Sequence, residues 1–467
     1  MKRYENRAED VVIAYVGGGS RGWAWGLMSD LAGQDTLNGT VRLYDIDKEA
    51  AVHNEVIGNA VKQIEGAKGD WRYQAVDTLK EALSGADFIV LSILPGTFDE
   101  MESDVHAPEQ YGIYQSVGDT AGPGGLMRAL RTIPMYVEIA EAIRDYAPNA
   151  WVINYTNPMT LCMQTLYEVF PKIKAFGCCH EVFGTQELLS RALEEMRGIK
   201  DVKRQDISVN VLGINHFTWI DEAWYRDINL LEVYREFVEK YYESGYLMDE
   251  SKHWMNNSFA SANRVKFDLF RRYGAVAAAG DRHLAEFMPG AQYLKDPETV
   301  KEWMFGLTTV QWRKEDLQKR RQKSADLVSG ERKFELSKTG EEGVHQMMAL
   351  AGYGTLVTNV NLPNIGQIAN LPIGAVVETN AVFRHNTVRP VAAGSLSNEI
   401  QAMVARHAAN HRTILTAALN KDANLAFQAF LNDPLMTAGF DDAKTLFSTM
   451  LENTKEYLPG WSMEGMK

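Results

Sequence analysis

The sequence has few of the features that mark secreted or membrane proteins. Only three of its 467 residues are cysteine, Cys162, Cys178 and Cys179, too few for a disulfide framework in a chain of this length. No apolar run approaches the length of a transmembrane helix. The first ten residues, MKRYENRAED, lack the apolar core of a secretory signal. We therefore expect a cytoplasmic protein whose thiols stay reduced and can bind metal.

Positive charge is also scarce. The chain has 48 Lys and Arg against 61 Asp and Glu, for a net charge of −13. Nucleic acids and anionic membranes both require basic surfaces, so neither is an expected partner. An acidic substrate would need arginine or lysine close to its binding site.

The remaining composition is that of a globular enzyme, with 45% hydrophobic and 23% charged residues. Short apolar runs alternate with helical patterns in the first half, which predicts a parallel sheet with helices on both faces. We predict an α/β protein with a Rossmann-type doubly wound domain over 1–200. A C-terminal α+β domain over 201–467 would carry substrate-binding and catalytic residues. The predicted strands are 11–16, 41–44, 87–93, 151–154, 175–177 and 208–215.

A glycine-rich loop follows the first predicted strand and precedes a predicted helix over 23–31. Gly17, Gly19 and Gly22, with Ser20 between them, fit the pattern G-x-G-x-x-G. Such a loop lets the backbone approach a pyrophosphate, and the following helix N-terminus offers free N–H groups. The loop predicts a dinucleotide site, against the alternative of a turn that serves only packing.

An acidic residue ends the second predicted strand, where a carboxylate can bind ribose hydroxyls. Asp45 is the first choice for this role and Asp47 the alternative. A carboxylate here would repel a 2′-phosphate, so the site predicts NAD rather than NADP.

Two candidate metal ligands lie at the ends of predicted strands. Cys179 follows the strand 175–177, and His216 follows the strand 208–215. A thiolate and an imidazole suit a first-row divalent ion. Their separation in sequence matches no zinc-finger pattern, so a buried cysteine and a hydrogen-bonded histidine remain the alternative.

Several segments together resemble the family-4 glycoside hydrolases, whose fold is similar to that of lactate and malate dehydrogenases. The resemblance spans nearly the whole chain. It is carried by the segments 16–20, 111–134, 154–158, 177–184, 213–216, 280–287 and 361–364. It implies NAD, a divalent metal that is usually manganese and held by Cys179 and His216, and a homodimer or homotetramer.

The segment after the cysteine indicates the substrate group. Cys179-His180-Glu181-Val182 lacks the proline found in members that act on phosphorylated sugars, and its continuation into Phe183-Gly184 is most similar to the α-galacturonidases. We therefore expect a small uronide or oligosaccharide substrate. Action on α-glucosides, α-galactosides or α-glucuronides remains an alternative.

The resemblance also implies a redox-assisted elimination in place of the usual two-carboxylate mechanism. NAD+ takes hydride from C3 of the sugar, a base removes the acidified C2 proton, and the C1–oxygen bond breaks. Water then adds at C1, C2 is reprotonated, and NADH returns the hydride to C3. Asp119 is the candidate acid for the leaving oxygen, and Asp281 is the candidate base. The alternatives are a capping role for Asp119 and an ion pair of Asp281 with Arg282 or His283.

Neutral and basic side chains are the candidates for substrate contacts. Asn157 and Asn215 offer amides to sugar hydroxyls, and His180 and His283 lie beside other candidates in sequence.

An arginine is expected to bind the carboxylate of a uronide through two parallel hydrogen bonds. Arg282 is the preferred candidate, with Arg128 and Arg131 as alternatives. Any of the three would instead be structural if it formed an internal ion pair.

Two other functions compete with the hydrolase. An NAD-dependent sugar or hydroxy-acid dehydrogenase would accumulate NADH with substrate, whereas the hydrolase releases an aglycone without net NADH. A non-catalytic NAD-binding sensor would not need Asp119, Cys179, His216 and Asp281 together.

Overall fold

The computed structural model describes residues 1–249, 251, 254–255, 257 and 259–462. The strands are β1 (Lys2–Arg3), β2 (Ala8–Val16), β3 (Leu37–Tyr44), β4 (Trp71–Ala75), β5 (Phe88–Leu91), β6 (Trp151–Asn154), β7 (Lys174–Gly177), β8 (Ser208–Ile214), β9 (Phe217–Tyr225), β10 (Ile228–Asn229), β11 (Val276–Ala277), β12 (Leu356–Pro363), β13 (Val376–Arg384) and β14 (Thr387–Pro390).

Helices connect and cover these strands. They are α1 (Trp23–Ala32), α2 (Lys48–Val61), α3 (Leu79–Leu83), α4 (Phe98–His106), α5 (Gly122–Tyr146), α6 (Met159–Val169), α7 (Glu181–Arg197), α8 (Leu230–Tyr241), α9 (Arg264–Tyr273), α10 (Asp281–Phe287), α11 (Gly290–Tyr293), α12 (Pro297–Glu302), α13 (Val310–Ser329), α14 (Gly343–Ala351), α15 (Asn398–Asn420), α16 (Ala423–Leu431) and α17 (Phe440–Asn453).

The first sheet contains six parallel strands in the spatial order β4-β3-β2-β5-β6-β7. This is the strand order of the Rossmann fold, in which ligands bind where the order reverses, here between β2 and β5. The apolar run that ends β2 is buried because helices cover both faces of the sheet. The predicted doubly wound fold is confirmed, and a strand is present at each predicted position of this sheet, while β4 at its edge was not predicted.

Three strands from the C-terminal part of the chain extend this sheet. β12 pairs antiparallel with β7 through Asn361 and Gly177, and β13 and β14 follow outward. The sheet therefore contains strands from both sides of residue 200. The predicted domain boundary at that residue stays a prediction.

A second, antiparallel sheet contains β8, β9, β10 and β11. Helices from the second half pack around it and against α5, and they share one large apolar core with α5. This mixture of antiparallel strands and helices confirms the predicted α+β region. Within the described residues, no helix has both the length and the apolar character required to cross a bilayer.

Candidate active site

The glycine loop lies between the end of β2 and the start of α1, at the point where the strand order reverses. Gly17 has φ +92°, and a Cβ atom there would lie 2.0 Å from the carbonyl oxygen of Ser92. Only glycine accepts both the left-handed backbone and this close approach. Gly22 precedes α1 without a capping side chain, so that the first N–H groups of α1 stay available to an anion.

Asp45 lies directly against this loop. Its Oδ2 accepts a hydrogen bond from the Gly19 backbone N–H at 2.8 Å, and its Oδ1 accepts one from the Asp47 N–H at 2.9 Å. Asp47 instead caps α2 and forms an ion pair with Arg21. The structure thus places Asp45 rather than Asp47 at the loop, as the order of strand, loop and acid predicts.

His216 lies in a two-residue turn. Ile214 and Phe217 are paired across the β8–β9 hairpin, which leaves Asn215 and His216 as the connection. His216 has φ +62°, a conformation that non-glycine residues seldom adopt and that is often found at functional sites. The strained turn fixes the direction of the imidazole, which is 4% exposed.

Three side chains from distant segments meet at this histidine. Asp119, His216 and His283 each offer a ligand atom, and these atoms all lie within 4.8 Å of one another. The two imidazole rings have centroids 3.8 Å apart. Asp119 belongs to the loop before α5, and His283 belongs to the first turn of α10. One carboxylate and two imidazoles form a donor set that suits a first-row divalent ion.

The hydroxyl of Thr120 determines which ring nitrogen of His216 carries the proton. It donates to Asp119 Oδ1 at 2.7 Å and lies 3.1 Å from Nδ1 of His216. Because the single hydroxyl proton goes to Asp119, Nδ1 of His216 must donate to the Thr120 oxygen. Nε2 of His216 then keeps its lone pair, which is the form that binds a metal.

Neighbouring charges and burial determine which groups of this site are ionised. Burial acts to raise the pKa of Asp119, but the charge of Arg128 and the nearby histidines lower it far below its usual range. Burial and the proximity of His283 lower the pKa of His216 to about 3, so its imidazole is neutral. A carboxylate beside a neutral imidazole is ready to bind a cation.

The carboxylate of Glu181 lies close to His283 and to the start of α10. Its Oε1 lies 3.7 Å from Nε2 of His283, and its Oε2 accepts the Gly280 N–H at 2.6 Å. Against the effect of burial, His283 and His180 lower the pKa of Glu181 to about 2. The carboxylate thus fixes the start of α10 and places a negative charge near the imidazole of His283.

Cys179 is buried close to this group but does not belong to the set of three. Asn215 hydrogen-bonds its thiol, while burial and the charge of Glu378 raise its pKa. Glu378 Oε2 accepts from Nδ2 of Asn215 at 3.2 Å. The predicted Cys179–His216 metal pair stays a prediction, since the three gathered donors are Asp119, His216 and His283.

His180 lies at the edge of the site and is half-exposed. Its Nδ1 is 3.0 Å from Glu341 Oε1, and a hydrogen bond to that carboxylate raises the pKa of His180 to about 9. His180 is therefore a cation at neutral pH, which suits contact with an anionic or hydroxyl-rich ligand.

Helix α10 holds the loop that carries Asp119. Arg282 Nη2 donates to the Ser116 carbonyl at 3.0 Å, and Ser116 Oγ donates to the Arg282 carbonyl at 2.5 Å. Glu286 Oε1 accepts the N–H groups of Val117 and Gly118 at 2.7 and 2.9 Å. One short helix thus fixes the loop and also supplies His283.

Asp281 occupies the first helical position of α10. Its carboxylate accepts the backbone N–H groups of Val265 and Lys266 at 3.3 and 3.1 Å, and it is fully buried. These contacts join α10 to α9 and do not bring Asp281 into the group around His216. Its assignment as the base stays a prediction.

The remaining predicted residues differ in the contacts that they make. Arg128 Nε donates to the Asn157 carbonyl at 3.1 Å. Oδ1 of Asn157 and Oδ1 of Asn215 are both buried without a partner in the described part of the chain, so they are free to accept hydrogen bonds from a substrate. Arg131 instead forms a buried ion pair with Asp104, which removes it as a carboxylate-binding candidate.

Glu286 gives a prediction about pH. Burial raises its pKa to about 8, so its contribution to stability is full below about pH 4.5 and is lost as the pH rises through about 8. We expect Glu286→Gln to lose less free energy of unfolding than the unmodified protein between about pH 5 and about pH 9, because glutamine accepts both N–H groups without a charge. Urea titrations at both pH values measure this, and equal losses would contradict it.

Sequence reasoning missed several residues of this site. Glu286 lies three positions after His283 on α10, a helical spacing that could have indicated it. Glu181 directly follows the candidate His180. Thr120 is adjacent to Asp119. Glu378 comes from a segment far along the chain, for which no local pattern exists.

Comparison with known proteins identifies relatives along most of the chain. Residues 12–195 match the sequence model of the family 4 glycosyl hydrolases, and residues 211–436 match that of the family 4 glycosyl hydrolase C-terminal domain. A protein of Thermoanaerobacterium saccharolyticum named alpha-galacturonidase is 65% identical over 464 residues, which are 99% of this chain and all of the relative.

Solved structures give the same result at the level of fold. A provisionally named glucosidase, lplD, from Bacillus subtilis superposes with a TM-score of 0.91 at 56% identity, covering 95% of this chain and all of the other. The 6-phospho-beta glucosidase of Thermotoga maritima, solved with manganese, NAD+ and glucose-6-phosphate, has a TM-score of 0.75 at 20% identity and covers 96% of this chain and 99% of its own.

Proposed function

The chain belongs to family 4 of the glycosyl hydrolases, and from that premise we propose that it cleaves α-galacturonides, including α-1,4-linked galacturonic acid oligomers. The enzyme is thus a glycoside hydrolase. The assignment of this substrate is supported by the 65% sequence identity to the alpha-galacturonidase of T. saccharolyticum. The observation that carries the chemistry is the donor group of Asp119, His216 and His283.

We propose NAD and a divalent metal, manganese or a similar ion, as cofactors. The loop of Gly17, Gly19, Ser20 and Gly22 with Asp45 fits a dinucleotide, since a Cβ on Gly19 would lie within 2.9 Å of the Asp45 carboxylate and close the space. When bound, NAD supplies reversible hydride transfer at C3, and the metal supplies polarisation of the oxygens on C2 and C3.

The chain's own residues then have separate tasks. Asp119, His216 and His283 would hold the cation, with Cys179 beside them, and Asn157 and Asn215 would accept hydrogen bonds from sugar hydroxyls. The low pKa of Asp119 favours its ionised form, which suits a metal ligand better than a proton donor. Its assignment as the acid for the leaving oxygen stays a proposal.

A panel of p-nitrophenyl glycosides tests this function. With NAD+, Mn2+ and a thiol reductant, the α-galacturonide is expected to be cleaved faster than the α-glucuronide, α-galactoside and α-glucoside. A chelator should stop turnover, and deuterium from solvent should enter C2 of the product. Faster cleavage of a neutral glycoside would show that the natural substrate is not a galacturonide. Accumulation of NADH without release of p-nitrophenol would indicate a dehydrogenase instead.

The glycine loop gives a prediction about the dinucleotide. Gly17→Ala is expected to remove most of the rise in melting temperature that saturating NAD+ produces, because a methyl group there would collide with the Ser92 carbonyl oxygen. Gly66→Ala is the matched control, since Gly66 has the same φ of +92° with nothing within 4 Å. An equal response to NAD+ in both variants would disprove this placement of the dinucleotide.

A further inference from the structure

We propose that Arg313 is the residue that binds the C6 carboxylate of the galacturonide, with one edge of Arg282 beside it. This inference rests on the proposed function and adds a specificity residue to the same site. Arg313 lies in the first turn of α13, and no sequence motif indicates it.

The start of α13 is fixed against the loop that carries Asp119. The Thr308 backbone N–H donates to the Ser116 carbonyl at 3.2 Å, and the Val310 N–H donates to Nε2 of His106 at 3.2 Å. Ser116 is three residues before Asp119. These contacts bring the first turn of α13 to the same side of the site as the donor group.

The charge of Arg313 is acted on by Asp119, Glu286 and Asp316, but only from beyond ion-pair distance. Its Nε is buried without a hydrogen-bond partner, and no ion pair joins it to any residue that the structure describes. Glu315 accepts a hydrogen bond from Gln311, and Asp316, one turn after Arg313, forms an ion pair with Arg320 at 2.6 Å. The side chain as a whole is half-buried. Partial removal of a guanidinium from water without an ion-pair partner carries a cost, which a bound carboxylate would offset.

Arg313 also belongs to a local concentration of positive charge. Its charge acts on Arg282 and Arg128, in a chain whose net charge is −13. Asp119, Glu286 and Asp316 are the acids whose charges act on Arg313. Asp119 is committed to Thr120 and the histidines, and Glu286 to two backbone N–H groups.

The other arginines have fewer free donors than Arg313. Arg131 is paired with Asp104, and Arg128 uses Nε for the Asn157 carbonyl. Arg282 uses Nη2 for both Ser116 and Thr308, so only part of its guanidinium remains. Arg313 keeps the whole planar fork, which is the arrangement that binds a carboxylate through two hydrogen bonds.

The test compares Arg313→Met and Arg313→Lys with the unmodified enzyme. Cleavage of p-nitrophenyl α-galacturonide by Arg313→Met should fall about 10- to 150-fold in kcat/KM, mainly through KM, as for the loss of a charged hydrogen bond. Arg313→Lys keeps the charge without the fork and should be intermediate. Arg321→Met, an exposed arginine of the same helix, is the matched control and should match the unmodified enzyme.

Binding of galacturonic acid and of galactose separates recognition from general damage. The unmodified enzyme should prefer the acid, and Arg313→Met should lose that preference while galactose binding stays the same. Unchanged kcat/KM and preference in Arg313→Met would overturn the inference while the proposed function stands. An equal loss for both sugars in Arg313→Met and Arg313→Lys would assign Arg313 a structural role and also overturn it. If the unmodified enzyme does not cleave the α-galacturonide, the proposed function fails, and this inference fails with it.

Discussion

Asp119→Asn is expected to lower kcat on the α-galacturonide by about 100- to 10,000-fold, the range for loss of a group acting at the reacting centre. Binding of Mn2+ should also weaken, by more than the roughly 10- to 100-fold that follows loss of an outer partner of a metal ligand. Both effects have one cause, since the charged oxygen that meets His216 and His283 is replaced by a neutral amide.

Two measurements separate these effects for Asp119. Titration with Mn2+ gives the affinity, and kcat at saturating Mn2+ gives the remaining catalytic loss. Asp201→Asn is the control, because Asp201 is exposed and its φ of +61° is one that asparagine accepts. A variant of Asp119 with the affinity and kcat of the control would disprove the placement of the cation at this group.

Arg131→Met is expected to lower the free energy of unfolding by about 3–5 kcal/mol, the cost of leaving one partner of a buried ion pair alone. Arg131 and Asp104 are each 1% exposed, and Nη1 of Arg131 lies 3.0 Å from Oδ1 of Asp104. The abandoned carboxylate would also lose its main compensation against burial, which already raises the pKa of Asp104.

Urea denaturation of Arg131→Met measures this loss. Arg144→Met removes an exposed partner of Glu141 and Asp145 on the same helix, and it should change the free energy by less than about 1 kcal/mol. If the two variants were equally stable, the pair of Arg131 and Asp104 would contribute no more than a surface contact.

The sequence predicted those parts of the site that local patterns determine. The glycine loop, its strand and the acid at position 45 form one continuous unit, and each position has a separate physical requirement. The apolar runs of β2, β5 and β6 are buried on both faces, so their positions could be predicted without knowledge of their neighbours. The bounds were less exact, since β2 begins three residues before the predicted strand and β5 is three residues shorter than predicted.

The donor group could not be predicted in the same way. Asp119 and His283 lie 164 positions apart in the chain, and they meet His216 only because α10 holds the loop at Ser116 through Arg282 and Glu286. Arg282 looked like a ligand-binding residue from its position beside two candidates, yet its guanidinium is largely engaged by that loop. Contacts between segments that are distant in sequence decide which side chains meet at the site. Neither residue spacing nor hydrophobic periodicity carries information about those contacts.

The strand β12 has a consequence for any attempt to divide the chain. It pairs with β7 at Gly177, two positions before Cys179, and Glu378 on β13 reaches the surroundings of that cysteine. A fragment ending near residue 200 would leave the outer edge of β7 open to other chains, a recognised route to aggregation. We therefore expect the two halves to melt in a single transition and to resist separate expression as folded proteins.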